Sequence, residues 1–279
     1  MLVSDQGEQV GTIGGGRVEL EVVRCAQGVA SSGKVAHATH NLVRDLGMCC
    51  GGTMRFFIEP LQPCVAAMAD AVSRRSARLP SWLETDLVAG GMRLHTAAPA
   101  IHADPSRVFC VSIQPKPRVV LLGCGHLSRA IGPLANDLGF EVVLCDDNET
   151  AAIDAMPPWA HLAVPSFELR DIEAAAGTLG GQDYVLILTR DHGIDQRIVE
   201  ACLPHVDRLA YLGLIGSLGK IGRFRKRIFA KNIATEAQWA KLHGPIGLDI
   251  AAETPLEIAV SILAQLVQVK NRASVGEGP

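Results

Sequence analysis

Several features that mark specialised classes of protein are absent from this sequence of 279 residues. No apolar run reaches the roughly 18 residues that a membrane span needs. The first residues lack the basic and then apolar pattern of a signal peptide. Basic residues are not in excess, since the net charge is −3, so a nucleic-acid-binding surface is not indicated. These absences favour a cytoplasmic protein with neither membrane nor nucleic-acid partners.

A second absence concerns the cysteines, which form no C-x-x-C pair. Structural zinc sites commonly use such pairs, so a zinc site of that kind is not expected. In the cytoplasm the thiols should stay reduced. The eight residues are Cys25, Cys49, Cys50, Cys64, Cys110, Cys124, Cys145 and Cys202.

The segment "SIQPKPRVVLLG" predicts a boundary between two domains, 1–112 and 118–279. Pro115 and Pro117 oppose regular structure, and a buried strand follows directly. In the first domain "QVGTI" predicts a strand, and apolar spacing predicts a helix from about Arg17. A second helix over 64–78 and short strands over 79–112 complete an α/β domain.

The pattern of the second domain predicts alternating strands and helices. "RVVLLG", "EVVLCDD", "DYVLILT" and "LAYLGLIGS" are the predicted strands, and the first is apolar enough to be buried on both faces. Helical patterns lie between them, one containing Pro133 and one opened by a capping box at Thr254. This alternation predicts a Rossmann-like, doubly wound parallel sheet.

The turn after the first of these strands is the clearest candidate site. Gly123 and Gly125 permit backbone N–H groups to approach a phosphate at a helix N-terminus. Asp146 ends the next strand, where a carboxylate commonly binds a ribose hydroxyl. His126 either donates to a phosphate or caps its own helix. The alternative is a glycine turn kept for packing alone, with no nucleotide bound.

A second glycine row precedes the first helix. Gly14, Gly15 and Gly16 can form a concave set of N–H groups suited to an anion. The alternative is a flexible hairpin loop, because three glycines in succession also carry a large backbone entropy.

Two adjacent thiols followed by glycine form the third candidate. Cys49 and Cys50 cannot readily bridge each other with normal disulfide geometry. With Gly51 freeing the backbone beside them, a thiolate there would be a soft ligand or a nucleophile. The alternative is that both are small buried hydrophobes.

A basic segment follows the last predicted strand. Gly216 and Ser217 end that strand, and Lys220, Arg223 and Arg227 recur at helical spacing on one predicted face. They form either an anion clamp at the carboxyl edge of the sheet or a solvated surface helix. "TRDHGIDQ" should bring Asp191, His192 and Asp195 to the same edge, in roles that spacing does not assign.

At these motifs the sequence resembles the XdhC/CoxI family, the accessory proteins for maturation of xanthine dehydrogenase and related molybdenum hydroxylases. The resemblance covers nearly the whole chain, and its combination of motifs in this order is highly specific. The motifs are "GTIGGGRVE", "LGMCCGG", "LLGCGHLSRAI", "YLGLIGSLGK" and "GPIGLDIAAETPLEIAVSILAQL".

The resemblance implies a protein that binds molybdenum cofactor (molybdopterin) and performs no turnover of its own. It implies sulfuration of that cofactor by a cysteine desulfurase and delivery to the molybdenum-binding subunit of a hydroxylase. A homodimer is expected. In this interpretation the two glycine segments hold phosphate-bearing groups, Cys49 or Cys50 faces the molybdenum or carries the sulfur, and Lys220 with Arg223 adds positive charge.

The sequence departs from the family pattern in three places. Family members usually carry additional residues before the point matching Met1, so we expect a truncated or misassigned start. Asn148 stands where an arginine is expected, and Arg190 where a histidine is expected. A rival hypothesis therefore remains, an NAD(P)-dependent oxidoreductase using Asp146 for ribose and His126 or His192 for proton transfer. A third is an interaction scaffold with an empty Rossmann turn.

Overall fold

The computed structural model describes residues 1–44, 51–99, 104–147 and 156–275, and the chain divides into two compact units, Met1–Pro115 and Lys116–Pro279. Within the described ranges, none of the helices combines the length and the hydropathy that a membrane crossing requires.

In its described residues the N-terminal unit contains small antiparallel sheets and two α-helices. Its helices are α1 (Gly16–Ser32) and α2 (Val65–Ser76), and its strands are β1 (Leu2–Val3), β2 (Gln9–Val10), β3 (Ala36–Asn41), β4 (Thr53–Ile58), β5 (Ser81–Asp86), β6 (Met92–His95) and β7 (Val108–Ile113). Strand β1 pairs with β2, β3 pairs with β4, and β5 lies between β6 and β7. The strand expected over "QVGTI" is confined to Gln9–Val10, because the glycine-rich loop begins directly after it.

Helix α1 follows the periodicity that predicted it. It begins at Gly16, one residue before the expected start, and its inward face buries Val18, Val22 and Val29. Gly33 ends the helix with a φ of 66° and donates its N–H to Val29 O. Apolar spacing and a left-handed glycine therefore set the length of this helix.

The C-terminal unit alternates strands with helices along the chain. Its elements are β8 (Arg118–Leu122), α3 (His126–Asp137), β9 (Glu141–Cys145), β10 (Leu162–Val164), α4 (Leu169–Ala176), β11 (Asp183–Ile187), α5 (His192–Cys202), β12 (Tyr211–Leu214), α6 (Leu218–Ala230), α7 (Glu236–Trp239), β13 (Leu242–His243) and α8 (Pro255–Val275).

The six strands that the structure describes in this unit pair in parallel, in the order β10-β9-β8-β11-β12-β13. Numbered within the unit, this is the order 3-2-1-4-5-6 of a Rossmann domain, and it confirms the predicted doubly wound sheet. Every residue of β8 and β11 is buried, and an apolar core lies on each face of the sheet. The strand order reverses between β8 and β11, which makes their carboxyl ends the expected ligand crevice.

The last helix begins as the sequence predicted. Thr254 N donates to Glu257 Oε2 at 3.0 Å, and Glu257 N donates to Thr254 Oγ1 at 3.3 Å, which is a reciprocal capping box. Helix α3 contains Pro133 and still runs from His126 to Asp137.

Candidate functional site

The glycine turn after β8 packs directly against the backbone at the end of β11. Gly123 has a φ of 120°, and an added Cβ there would lie 2.7 Å from Leu188 O. Its N–H donates to Cys145 O at 2.8 Å. Gly123 is therefore required by the packing of the strand ends, whether or not a ligand binds.

Gly125 differs from Gly123 because it meets open space. Its φ is −74°, and nothing lies within 4 Å of the position that a Cβ would take. It is the N-cap of α3 and provides no side-chain cap, and His126 after it is exposed. No N-cap side chain accepts from the first N–H groups of α3, so these donors can bind a phosphate, as helix starts commonly do.

The neighbouring helices at this edge are capped by their own side chains. Asp191 Oδ1 accepts hydrogen bonds from Gly193 N and Ile194 N at the start of α5. Those bonds lower the pKa of Asp191. Ser217 Oγ accepts from Lys220 N at the start of α6. Of these three helix starts, that of α3 alone is left to a ligand or to water.

Asp146 lies against the glycine turn. Its carboxylate is buried, and Oδ2 accepts a hydrogen bond of 2.7 Å from Cys124 N. One oxygen therefore holds the turn in shape from the end of β9. The ribose contact predicted for Asp146 stays a prediction, and this structural role is an addition to it.

A buried network of hydrogen bonds between polar side chains lies beside the same turn. Lys220 Nζ forms an ion pair with Asp195 and donates to Ile215 O at 2.8 Å. The second oxygen of Asp195 accepts from Thr189 Oγ1 at 2.6 Å. Lys220 is 4% exposed and Asp195 is fully buried. The lysine stem crosses Gly216, where a Cβ would lie 2.5 Å from its Cδ.

The basic face predicted on α6 is therefore divided. Lys220 points inward and has its charge balanced by Asp195, which corrects the expectation that it shares an exposed face with Arg223 and Arg227. Arg227 donates to Gln196 Oε1 at 2.6 Å. Arg223 is exposed, and no residue of the described ranges pairs with it. Arg223 thus remains the cation of the predicted pair that a ligand could reach.

The N-terminal glycine row lies in a loop whose N–H groups already have an acceptor. Gly14, Gly15 and Gly16 all have positive φ. A carboxylate already faces the row, however, because Glu19 Oε2 accepts hydrogen bonds from Ile13 N at 3.0 Å and Gly15 N at 3.1 Å.

Glu19 also accepts a hydrogen bond of 2.6 Å from the Thr12 hydroxyl. That bond, followed by those from the two N–H groups, lowers the pKa of Glu19. The loop is suited to an anion, and the anion that it binds in this structure is the carboxylate of Glu19. Binding of an external phosphate there stays a prediction.

The thiol pair lies outside the described residues, so the structure has no bearing on Cys49 or Cys50. Gly51 is exposed. Several other thiols are buried, and burial raises the pKa of Cys64 to about 11 and that of Cys145 to about 12. Across the ranges that the structure describes, no group of three or more His, Cys, Asp and Glu side chains is arranged to hold a metal ion.

The strand order and the glycine turn at the switch point define a Rossmann-type domain. The family model described as the XdhC Rossmann domain matches residues 119–266, and the model of the XdhC and CoxI family matches residues 1–41. The chain therefore belongs to the XdhC family, and the resemblance drawn from the motifs is confirmed.

Two curated relatives are similar to the chain. The uncharacterized protein YqeB of Escherichia coli (strain K12) is 30% identical over 281 residues, covering 99% of this chain and 41% of that protein. A probable xanthine dehydrogenase subunit of Bacillus subtilis (strain 168) is 28% identical over 170 residues, covering 61% of this chain and 48% of that protein. The chain thus spans less than half the length of either relative.

A solved structure shares the fold. The crystal structure of a xanthine dehydrogenase from Bacillus halodurans superposes with a TM-score of 0.76 at 22% identity, covering 97% of this chain and 85% of that one. At this identity the likeness supports the architecture and leaves the residues of the site to be judged on their own geometry.

Proposed function

We propose that this chain is an accessory protein that binds molybdenum cofactor, supports its sulfuration and delivers it to a xanthine dehydrogenase or a related hydroxylase. The family to which the chain belongs suggests a role accessory to xanthine dehydrogenase. The observation that carries the proposal is the open space at Gly125, where α3 starts without a side-chain cap at the switch point of the sheet.

The residues present fit the phosphate end of such a cofactor. Gly125 leaves room for the group, and the first N–H groups of α3 can donate to its oxygens. Arg223 adds an exposed positive charge on a helix that starts at the same edge. Lys220 contributes indirectly, since its ion pair with Asp195 holds the segment after β12 against α5. The bound cofactor supplies the molybdenum centre that the acceptor enzyme uses, and the chain's residues bind and orient it.

The sulfur chemistry is assigned to Cys49 and Cys50. Molybdenum favours soft sulfur donors, and sulfur transfer from a cysteine desulfurase needs a nucleophilic thiolate. The described thiols at Cys64, Cys145 and Cys202 are poor candidates, because burial raises the pKa of each one. A homodimer acting in the cytoplasm completes the proposal.

The proposal is tested by purifying the protein from a host that makes the cofactor and measuring molybdenum and pterin per chain. Gly125→Val fills the space where the phosphate would sit, and we expect it to lose most of the bound pterin while keeping the wild-type melting temperature. Gly181→Val is the matched control, because Gly181 also meets open space and precedes β11 at the opposite edge of the sheet. Equal pterin in all three proteins would contradict the proposed site.

A second candidate function is that of an NAD(P)-dependent oxidoreductase. It is favoured by the Rossmann strand order and by Asp146 at the end of β9. The engagement of Asp146 with Cys124 N in the turn counts against it. Titration with NADH, followed by fluorescence, distinguishes the two. Saturable binding in a protein devoid of pterin would support the oxidoreductase.

A further inference from the structure

An ion pair lies across the predicted ligand crevice. Arg190 follows β11 and Asp147 follows β9, and Arg190 Nη1 lies 3.2 Å from Asp147 Oδ1. Strand β8 lies between those two strands. Neighbouring strands are about 4.8 Å apart, so the two side chains reach toward each other across the carboxyl end of β8. The glycine turn from Gly123 to Gly125 starts at that end.

Two ion-paired cations at this edge, Lys220 and Arg190, differ in how firmly they are held. Lys220 is buried and paired with the fully buried Asp195, so releasing it would strand a charge in the core. The side chains of Arg190 and Asp147 are 32% and 24% exposed. Partly exposed pairs of this kind contribute little to stability. Of these two ion pairs, that of Arg190 with Asp147 is therefore the one whose separation costs less.

We propose that Arg190 is a phosphate-binding residue of the crevice and that Asp147 occupies it until a ligand arrives. A guanidinium can bind a phosphate through two parallel N–H···O bonds. In the absence of a phosphate, the carboxylate of Asp147 takes its place as the negatively charged acceptor. The ligand class is a phosphate ester or a diphosphate that also reaches the first N–H groups of α3. The inference rests on the proposed function only in that both place a phosphate at this turn.

The proposal predicts opposite effects for the two partners. Arg190→Gln removes the cation, whereas Asp147→Asn keeps the shape of the side chain and removes its competing charge. If the pair were a structural tie that holds the turn, both substitutions would weaken binding and lower the melting temperature together.

The experiment uses the full chain, with ADP and adenosine as probes in isothermal titration calorimetry. We expect wild type to bind ADP more tightly than adenosine, Arg190→Gln to weaken ADP about tenfold, and Asp147→Asn to strengthen it about threefold. Adenosine affinity should be the same in all three proteins. The dependence of ADP binding on salt should be smaller in Arg190→Gln, because one charge contact is lost.

A matched control pair lies at the other edge of the sheet. Lys241 forms an exposed ion pair with Asp207 just before β13. Lys241→Gln and Asp207→Asn make the same changes in net charge and should leave ADP binding unchanged.

Three results would overturn the inference: equal ADP affinity in Arg190→Gln and wild type, a loss in Asp147→Asn as large as in Arg190→Gln, or no preference of wild type for ADP over adenosine.

The inference and the proposed function can fail separately. The expected ADP pattern in a protein that never retains pterin would refute the cofactor role alone. Retained pterin with an Arg190→Gln variant indistinguishable from wild type would refute the role of Arg190 alone.

Discussion

Gly123 and Leu188 meet backbone to backbone, since a Cβ on the glycine would lie 2.7 Å from the carbonyl oxygen of the leucine. The contact joins the turn after β8 to the end of β11, the two strands between which the sheet order reverses. The ends of these two strands are thus held together at a position that only glycine fits, and the predicted role of Gly123 in binding stays a prediction.

We therefore expect Gly123→Ala to destabilise the fold by about 2 kcal/mol or more, from the strain of a positive φ together with the clash. Gly139→Ala is the control for φ alone, because Gly139 has a φ of 83° and nothing within 4 Å of an added Cβ. Gly125→Ala should be close to wild type. Urea denaturation measures all three, and a Gly123→Ala loss no larger than that of Gly139→Ala would show that the close contact is absent.

Because Lys220 is buried and paired with Asp195, we expect its substitution to lower the free energy of unfolding and not to remove a direct contact with a ligand. Lys220→Met leaves the carboxylate of Asp195 buried without its cation, which typically costs about 3–5 kcal/mol. The double variant Lys220→Met, Asp195→Leu should recover most of that loss, because neither charge then remains.

Arg223→Gln provides the contrast on the same helix. Arg223 is exposed, so its substitution should leave the free energy of unfolding unchanged and reduce only the salt-dependent part of phosphate binding. If Lys220→Met were as stable as Arg223→Gln, the lysine would be solvated, and a direct contact with ligand would again be the better interpretation.

The fold was largely predictable because the strands at the centre of the sheet are uninterrupted apolar runs. The edge strands β10 and β13 were not predicted. They have three and two residues, and pairing with a neighbouring strand holds them in place more than any pattern of their own. The predicted capping box at Thr254 is confirmed because all of its groups lie within four residues.

The site was less predictable because its contacts join distant parts of the chain. Spacing placed Lys220 on a polar helical face, and only the fold brings it to Asp195, 25 residues earlier in the chain. The same holds for Arg190 and Asp147, which are separated by 43 residues. Sequence patterns identified the glycine turns and the edge of the sheet, whereas the partner of each charged group depended on the order of the strands.

Acidification should loosen the loop before α1. Hydrogen bonds from the Thr12 hydroxyl and then from Ile13 N and Gly15 N lower the pKa of Glu19 below its ordinary value of 4.5. A carboxyl group whose pKa is lower in the folded state adds stability above 4.5, and that contribution is lost as the pH falls through the folded pKa. Glu19→Gln should therefore be less stable than wild type at neutral pH and should lose less on acidification.

The measurement is a series of denaturation curves from neutral pH to well below 4.5. Glu21→Gln is the control on the same helix, because the carboxylate of Glu21 pairs with Arg24. Parallel curves for wild type and Glu19→Gln throughout the acid range would show that the carboxylate does not hold this loop.

The reactivity of the thiols tests the sulfur chemistry. Burial raises the pKa of Cys64 to about 11, so its thiol is almost entirely protonated at pH 7, and burial protects Cys145 and Cys202 in the same way. Cys110 is an exposed residue, but its thiol is partly desolvated and lies near Glu84, and both effects raise its pKa. Iodoacetamide should therefore label Cys110 slowly and the buried thiols only after unfolding.

If Cys49 or Cys50 carries sulfur to the cofactor, at least one of them should be labelled faster than Cys110 at pH 7, because sulfur transfer needs a thiolate. Peptide mapping by mass spectrometry measures the rates.

Cys49→Ala and Cys50→Ala should keep the melting temperature of wild type, and at least one should sharply reduce activation of an apo-hydroxylase in a reconstitution assay. Cys110→Ala is the control and should activate fully. Slow labelling of both residues together with full activation by both variants would assign this pair to packing, and the search for the sulfur-binding group would then move to the crevice between β8 and β11.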